Sequence, residues 1–242
     1  MSIALLIPTW REIEAGDTCA KAHKLCITDS VRGAWSFEHK GVLQNMVDLP
    51  IGDDDILMYM HDDVEIMEAG WDQRIIDHFA ANPKCGLLGF GGAKGLGLDC
   101  LYKVPYRLND LARLDFLSNM KDWHIHGCHT LVPQQVAMLD GFCLVFRREF
   151  YDEMGGWQSA IDKGFPSHHC YDAYACCMAR RLGWEVHLLP IRCHHRGGET
   201  ATKGEYIEWL QTQGWKDDSA VHASAHAVFY DEFRDLLPIR TN

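Results

Sequence analysis

The chain has 242 residues, 47% of them hydrophobic and 24% charged, with 34 acidic against 23 lysine and arginine side chains and a formal net charge of −11. These proportions suit a soluble globular protein with one sizeable core, arranged in one or two domains. The acidic balance argues against a broad nucleic-acid-binding face, and no apolar run approaches the ~20 residues needed to span a bilayer.

Met1 to Pro8 enters a strand-like run without a basic leader region or cleavage site. The ten cysteines sit largely in apolar company, as at Cys26, Cys85, Cys143 and Cys193, where a free thiol packs as a small hydrophobe. A reduced, cytoplasmic setting is therefore the expectation. Ser2 to Ile7 reads as a strand stopped by Pro8-Thr9, and Trp10-Arg11-Glu12 begins the connection after it. Asp17 is the expected N-cap of a helix through Cys19, Ala20 and Ala22. Leu25 to Thr28 reads as a second strand closed by Asp29-Ser30, and Asn45 to Leu49 as a short helix before Pro50.

Ile56 to Met60 is an apolar run of strand length that ends abruptly in His61-Asp62-Asp63. Buried parallel strands read as such runs, and open α/β sheets place their chemistry beyond the carboxyl ends of strands. Adjacent carboxylates there repel one another unless a cation intervenes. The implied occupant is a divalent metal held by Asp63, with help from Asp62 or His61. Trp71, Ile75 and Phe79 then fall on one face of a helix that Asn82-Pro83 ends. Cys85 to Phe90 is a buried-strand candidate, and the following glycine-rich run from Gly91 and Gly92 to Gly97 lets a ligand approach the backbone closely. That run lacks the spacing of a P-loop or dinucleotide fingerprint.

Residues 99–137 show no clean period but hold Tyr102, Tyr106, Trp123, His129 and the pair His124-Ile125-His126, which on a strand would place both rings on one face. Asp140-Gly141 leads into a strand over Phe142 to Phe146, then Arg147-Arg148 and a short helix ending at Gly155-Gly156. The block Phe165 to Asp172 precedes a helix stopped by Gly183. Glu185 to Leu189 is a strand, followed by Cys193-His194-His195. Beyond Glu199 two amphipathic helices are expected, around Tyr206-Trp209-Leu210 and Val228-Phe229-Phe233. Alternation of strands and helices argues for an α/β sheet domain with a helical tail.

Two metal assemblies follow from these residues. A structural zinc site from Cys170, Cys176, Cys177 and Cys193 with neighbouring histidines fits no usual zinc-ligand spacing. Asp63 with His194 or His195, at the ends of neighbouring strands, suits Mn²⁺ or Mg²⁺ bound together with a diphosphate.

The ordered succession of motifs resembles the GT-A fold glycosyltransferases, most closely the inverting glycosyltransferase-2-like group. The resemblance is carried by Ile7-Pro8-Thr9, by His61-Asp62-Asp63-Val64 in place of an Asp-x-Asp motif, and by Trp71. It continues through Leu139-Asp140-Gly141-Phe142 to Arg147-Arg148, Tyr171-Asp172 to Gly183-Trp184, and His194-His195. It spans residues 2–198. Two positions depart from the pattern: His61 stands where the first acid is usual, and Tyr171 where a Glu-Asp-type pair would begin.

The resemblance implies a nucleotide-diphospho-sugar transferase fold, a mostly parallel sheet flanked by helices. Residues 1–198 would form the catalytic domain, with 99–137 as an acceptor-side insertion and 199–242 as a C-terminal helical extension. It implies a UDP- or GDP-linked sugar as donor, Mn²⁺ or Mg²⁺ as cofactor, and a hydroxyl acceptor in a glycan, a small molecule or, less favoured, a hydroxylated DNA base. Asp63 would bind the metal, completed by His194 or His195, with His194 preferred. Pro8, Thr9, Arg11 and Asp29 would hold the nucleotide, Asp62 the ribose or donor sugar, and Gly91, Gly92, Asp140 and Gly141 the sugar side. Asp172 would be the catalytic base. The competing readings are a metal-dependent hydrolase of phosphoesters or nucleotides, and a nucleotide-sugar-binding module without turnover.

Overall fold

The computed structural model describes residues 1–37, 41–97, 116–118, 130–196 and 204–241. Its centre is a seven-stranded sheet in the order β2-β1-β3-β11-β5-β12-β9. The strands are β1 (Ile3–Thr9), β2 (Val31–Phe37), β3 (Ile56–Met60), β5 (Cys85–Gly89), β9 (Gln134–Gln135), β11 (Cys143–Arg147) and β12 (Glu185–Leu188). β1 pairs in parallel with β2 and β3, and β5 with β12, while β11 lies antiparallel between β3 and β5 and β9 runs antiparallel at the edge.

The central strands are buried on both faces, and their side chains alternate between two apolar layers. On one side Ile3, Leu5, Ile7, Met58, Met60 and Val145 pack beneath helices α1 (Glu12–Lys24) and α3 (Trp71–Ala81). On the other, Leu6, Leu57, Tyr59, Leu144 and Phe146 meet α2 (Val42–Asp48), α4 (Arg148–Glu153), α5 (Gln158–Asp162) and α6 (Tyr171–Arg181). The anticipated stripe of α3 is the buried one, with Trp71, Ile75 and Phe79 all at 1% exposure or less. Two further helices, α7 (Gly204–Thr212) and α8 (Asp218–Phe233), follow, and α8 sends Phe229 and Phe233 into the second layer. Among the described residues no helix is long and apolar enough to cross a membrane.

Among the described residues three smaller sheets accompany the main one. β4 (Val64–Ile66) pairs antiparallel with β13 (Cys193–His195). β6 (Gly91–Ala93) lies between β8 (Phe116–Ser118) and β10 (Met138–Leu139). β7 (Gly95–Leu96) pairs with β14 (Ile239–Arg240).

The structure corrects the sequence reading in its first forty residues. β1 does not stop at Pro8 but continues to Thr9. Pairing with β3 has already ended at Leu6, so beyond it only β2 lies alongside and the absent proline N–H interrupts no second ladder. α1 starts at Glu12, five residues before Asp17, because the Thr9 hydroxyl takes the Arg11 amide and Glu12 and Glu14 fill the first turn, where carboxylates suit the helix dipole. Leu25 to Thr28 is not a strand. The amides of Ile27 and Thr28 donate to the fully buried Asp72 carboxylate in α3, and Thr28 Oγ1 adds a third donor at 2.7 Å. Those donors are spent on a side chain, so the second strand begins only at Val31. His124, His126 and His129 lie outside the described residues.

Asp72 thus ties the loop after α1 to the first turn of α3. Burial works to raise its carboxyl, but the Thr28 and Ile27 donors prevail and hold it below the usual range. Asp72→Ala would strand these donors and is expected to cost about 3 kcal/mol. Urea unfolding of the variant measures it, and a loss below ~0.5 kcal/mol would mean that water replaces the carboxylate.

Candidate active site at the carboxyl edge of the sheet

The acidic strand end opens at the carboxyl edge of β1 and β3. Asp62 and Asp63 are adjacent, yet the fold sends them to different partners. The Asp62 carboxylate accepts from Thr9 Oγ1 at 2.5 Å and from Arg11 Nε at 3.0 Å, and Arg11 Nη2 bonds its second oxygen. Both side chains are nearly buried, at 9% and 12% exposure. Burial opposes the Arg11 charge, but the bonds and attraction to Asp62 outweigh it and raise its pKa. Thr18 Oγ1 donates to the Asp62 carbonyl at 2.7 Å, tying the same turn to α1.

Asp63 faces the other way. The β4–β13 ribbon sets His195 opposite Val64 and brings its Nε2 to 3.4 Å from Asp63 Oδ1, with His61 Nδ1 at 3.9 Å from the same oxygen. That oxygen is buried and accepts no hydrogen bond of normal geometry. Burial works to raise the Asp63 carboxyl, but His195 and His61, with Arg11 beyond, hold it at about 2. His61, Asp63 and His195 each offer one ligand atom, all within 4.8 Å of one another. Burial and the neighbouring His195 depress the His61 pKa, favouring its neutral form. Tyr171 Oη donates to the Gly141 carbonyl at 3.2 Å and lies 2.8 Å from His61 Nε2, so that His61 Nδ1 is the nitrogen turned toward Asp63.

The two histidines of the late pair lie on opposite sides of β13. His195, stacked on Phe142 at 4.9 Å, reaches Asp63, whereas His194 alternates to the other side of β13, opposite Glu65. His195 rather than the preferred His194 thus lies beside Asp63, together with His61.

A cleft next to these residues is lined by Pro8, Thr9, Trp10, Val42, Asn45, His61, Asp62, Asp63, His168, His169, Tyr171, Tyr206 and Asp218. One wall is aromatic. The Trp10 ring meets Tyr206, Trp209 and His168 edge-on at centroid distances of 5.8, 5.5 and 6.3 Å. Another is a polar relay in which Asp218 Oδ1 accepts from His169 Nε2 at 2.8 Å and from Tyr206 Oη at 2.6 Å. The His169 bond is the main cause that holds the Asp218 carboxyl at about 2, against burial.

Of the other residues expected at the site, Gly91 and Gly92 are buried in β6, where a Cβ on Gly92 would come within 2.3 Å of the Met138 carbonyl oxygen. The Asp140 amide donates to the Gly91 carbonyl, and the Gly141 amide donates to Asp172 Oδ2 at 3.2 Å. Asp172 is 7% exposed at the head of α6, and its Oδ1 accepts from the Ala173 amide. It stands beside Tyr171 but does not line the cleft. Asp29 is not brought to this edge. It precedes β2 on the amino side, a strand length of roughly 20 Å from Thr9. The cysteine assembly does not form a metal group among the described residues.

Sequence reasoning gave no role to His168, His169, Tyr206 or Asp218. The doublet His168-His169 was visible, and the left-handed backbone of Cys170 (φ 63°) that follows it marks a turn built at some conformational cost.

Residues 51–208 match the sequence profile of a family described as "Glycosyltransferase like family". The chain belongs to that family. It is a glycosyltransferase with the GT-A fold anticipated from its motifs. The glycosyltransferase is similar in fold to S. aureus TarS 1–349, with a TM-score of 0.50 and 8% identity over 98% of this chain and 74% of that one. It also aligns with A197 from STIV, with a TM-score of 0.45 and 14% identity over 83% of this chain and 88% of that one. A search of curated proteins finds no match.

The His168 ring gives a pH prediction. Burial first, then the neighbouring His169, lowers its pKa from 6.5 to about 3. Above 6.5 the ring is neutral in both folded and unfolded chains and contributes nothing to the pH dependence. Between 6.5 and about 3 the unfolded chain binds a proton that the folded one refuses, so stability falls on acidification, by up to about 1.4 kcal/mol per pH unit from this group. Urea titrations between neutral pH and about pH 4 should give a shallower pH slope for His168→Asn than for the parent. Parallel slopes would assign the acid sensitivity to other groups.

Proposed function

We propose that this glycosyltransferase moves a sugar from a UDP- or GDP-linked donor to a hydroxyl acceptor, with inversion and with the help of a divalent cation. The observation that carries the proposal is the buried Asp63 Oδ1, which accepts no regular hydrogen bond and is flanked by two imidazoles at the wall of the cleft. A buried carboxylate oxygen without a regular hydrogen bond is costly, and a cation relieves that cost. Asp63, His61 and His195 would hold the ion. Their mixed nitrogen and oxygen donors suit Mn²⁺ better than Mg²⁺, which favours an all-oxygen shell. When bound, such a cation neutralises charge on the departing diphosphate without proton transfer.

The remaining steps fall to the chain's own groups. Arg11 and Thr9 keep Asp62 in one rotamer at the cleft wall, where its outer lone pairs can orient the donor's ribose or sugar. Pro8, Thr9 and Trp10 supply the nucleotide side, with Trp10 giving a flat apolar surface for a base. The Gly91–Gly92 and Asp140–Gly141 backbones form the sugar side. Asp172, which accepts from two amides at the head of α6, takes the acceptor proton during attack. One observation favours a second assignment of the base. His169 lines the cleft with Nε2–H on Asp218, leaving its Nδ1 lone pair available, whereas Asp172 sits behind Tyr171. A cytoplasmic location is part of the same reading.

Calorimetric titration with UDP and GDP, with and without Mn²⁺, tests the donor site. Micromolar binding that requires Mn²⁺ and is lost in Asp63→Ala is expected. No binding of either nucleotide in either condition would remove the donor reading.

Turnover assays assign the base. Asp172→Asn is expected to lose about 10²–10⁴ in rate while nucleotide binding is retained. Loss in His169→Ala, with Asp172→Asn active, would transfer the role to the His169–Asp218 pair.

A further inference from the structure

A second group of metal-competent side chains lies at the other end of the sheet, unconnected with the cleft. His78 in the last turn of α3, Cys85 at the first residue of β5 and His187 in β12 offer Nε2 or Nδ1, Sγ and an imidazole nitrogen, all within 4.8 Å of one another. Cys85 is fully buried, His187 is 8% exposed, and His78 is half-buried. β5 runs away from this group toward Gly89 and the glycine-rich strands, so about 15 Å of strand separates it from the carboxyl edge.

The hydrogen bonds around the group prepare one nitrogen as a ligand. His187 Nε2 lies 3.0 Å from Glu185 Oε2, and a carboxylate accepts only, so the proton is assigned to Nε2. The lone pair is then on His187 Nδ1, which faces His78 Nε2 at 3.0 Å. A carboxylate behind a histidine is the arrangement that fixes the tautomer and orientation of metal-bound imidazoles. The Cys85 thiol donates to the Leu87 carbonyl at 3.5 Å. Its backbone is held from the other side, since Arg147 donates to the carbonyls of Cys85, Phe79 and Asn82 and so fastens the end of α3 to the start of β5. The three donors therefore sit on elements already clamped together.

We propose that His78, Cys85 and His187 form a site for a borderline-soft divalent cation of the Zn²⁺ class, with Glu185 as the carboxylate behind His187. One thiolate and two imidazoles exclude Mg²⁺ and Ca²⁺ as natural occupants, because those ions take oxygen shells. Tetrahedral zinc accepts this donor set and leaves a fourth position for water. Binding releases the thiol proton, and the His78 proton moves from Nε2 to Nδ1. The ion joins α3, β5 and β12 at the edge remote from the cleft.

Cobalt(II) titration of chelator-treated protein tests the site, because a cobalt–thiolate bond gives a charge-transfer absorption that nitrogen and oxygen ligands do not. The expected result is such a band saturating at one equivalent of Co²⁺, displaced by Zn²⁺, retained in Asp63→Ala and abolished in Cys85→Ser. His78→Gln lies at a half-buried helix position and preserves the core. It is expected to lower Co²⁺ affinity at this band about tenfold or more. Absence of the band in the parent protein, its survival in Cys85→Ser, or unchanged affinity in His78→Gln overturns the proposal.

Discussion

Two carboxylates on consecutive residues at a strand end must be kept apart, and the rest of this edge follows from how that is done. Asp62 is turned back into a fork made by Arg11 and Thr9, so its charge is neutralised by the chain itself. Asp63 is turned out between His61 and His195, where its charge is only partly answered. The first arrangement fixes where α1 starts, since the Thr9 hydroxyl that serves Asp62 also takes the Arg11 amide. The second requires the β4–β13 ribbon, because only that pairing carries His195 across to the end of β3. Swapping the two roles would leave a buried guanidinium without a partner, an outcome far costlier than the loss of an exposed ion pair.

Much of the fold was legible because buried parallel strands announce themselves as short apolar runs. Ile56 to Met60 and Cys85 to Gly89 are such runs, and the 3.6-residue stripe of α3 was equally plain. The failures share one cause. At Leu25 to Thr28 a strand-like composition lost its backbone donors to Asp72, a partner forty-five residues from Ile27 and invisible to any local pattern. Asp29 was misplaced with it, because the edge on which a residue lies depends on where the neighbouring strand begins.

The site was legible in its acidic half and opaque in its aromatic half. Asp62, Asp63 and the late histidine pair could be grouped because each ends an apolar strand. His168, His169, Tyr206 and Asp218 come from a turn and two helices that carry no strand-end signal, and their convergence is a product of tertiary packing. The division between His194 and His195 illustrates the limit most simply. A doublet at a strand end says that one ring faces the site, but the pleat decides which, and the pleat is set by the register with Val64 and Glu65.

β11, running against its neighbours in the middle of the sheet, has a consequence for the order in which the chain assembles. β1, β2 and β3 come from the first sixty residues and can pair as they are synthesised. β5 is next in sequence among the central strands but does not touch β3. It joins only through β11, whose Arg147 is the partner of Ile56 across ninety-one positions. Until that strand arrives, the open side of β3 is an unpaired apolar edge, the kind of surface that recruits other chains. Contacts of such long sequence separation are slow to form, since the intervening loop must be closed first. The two halves of the molecule thus become one sheet late in folding.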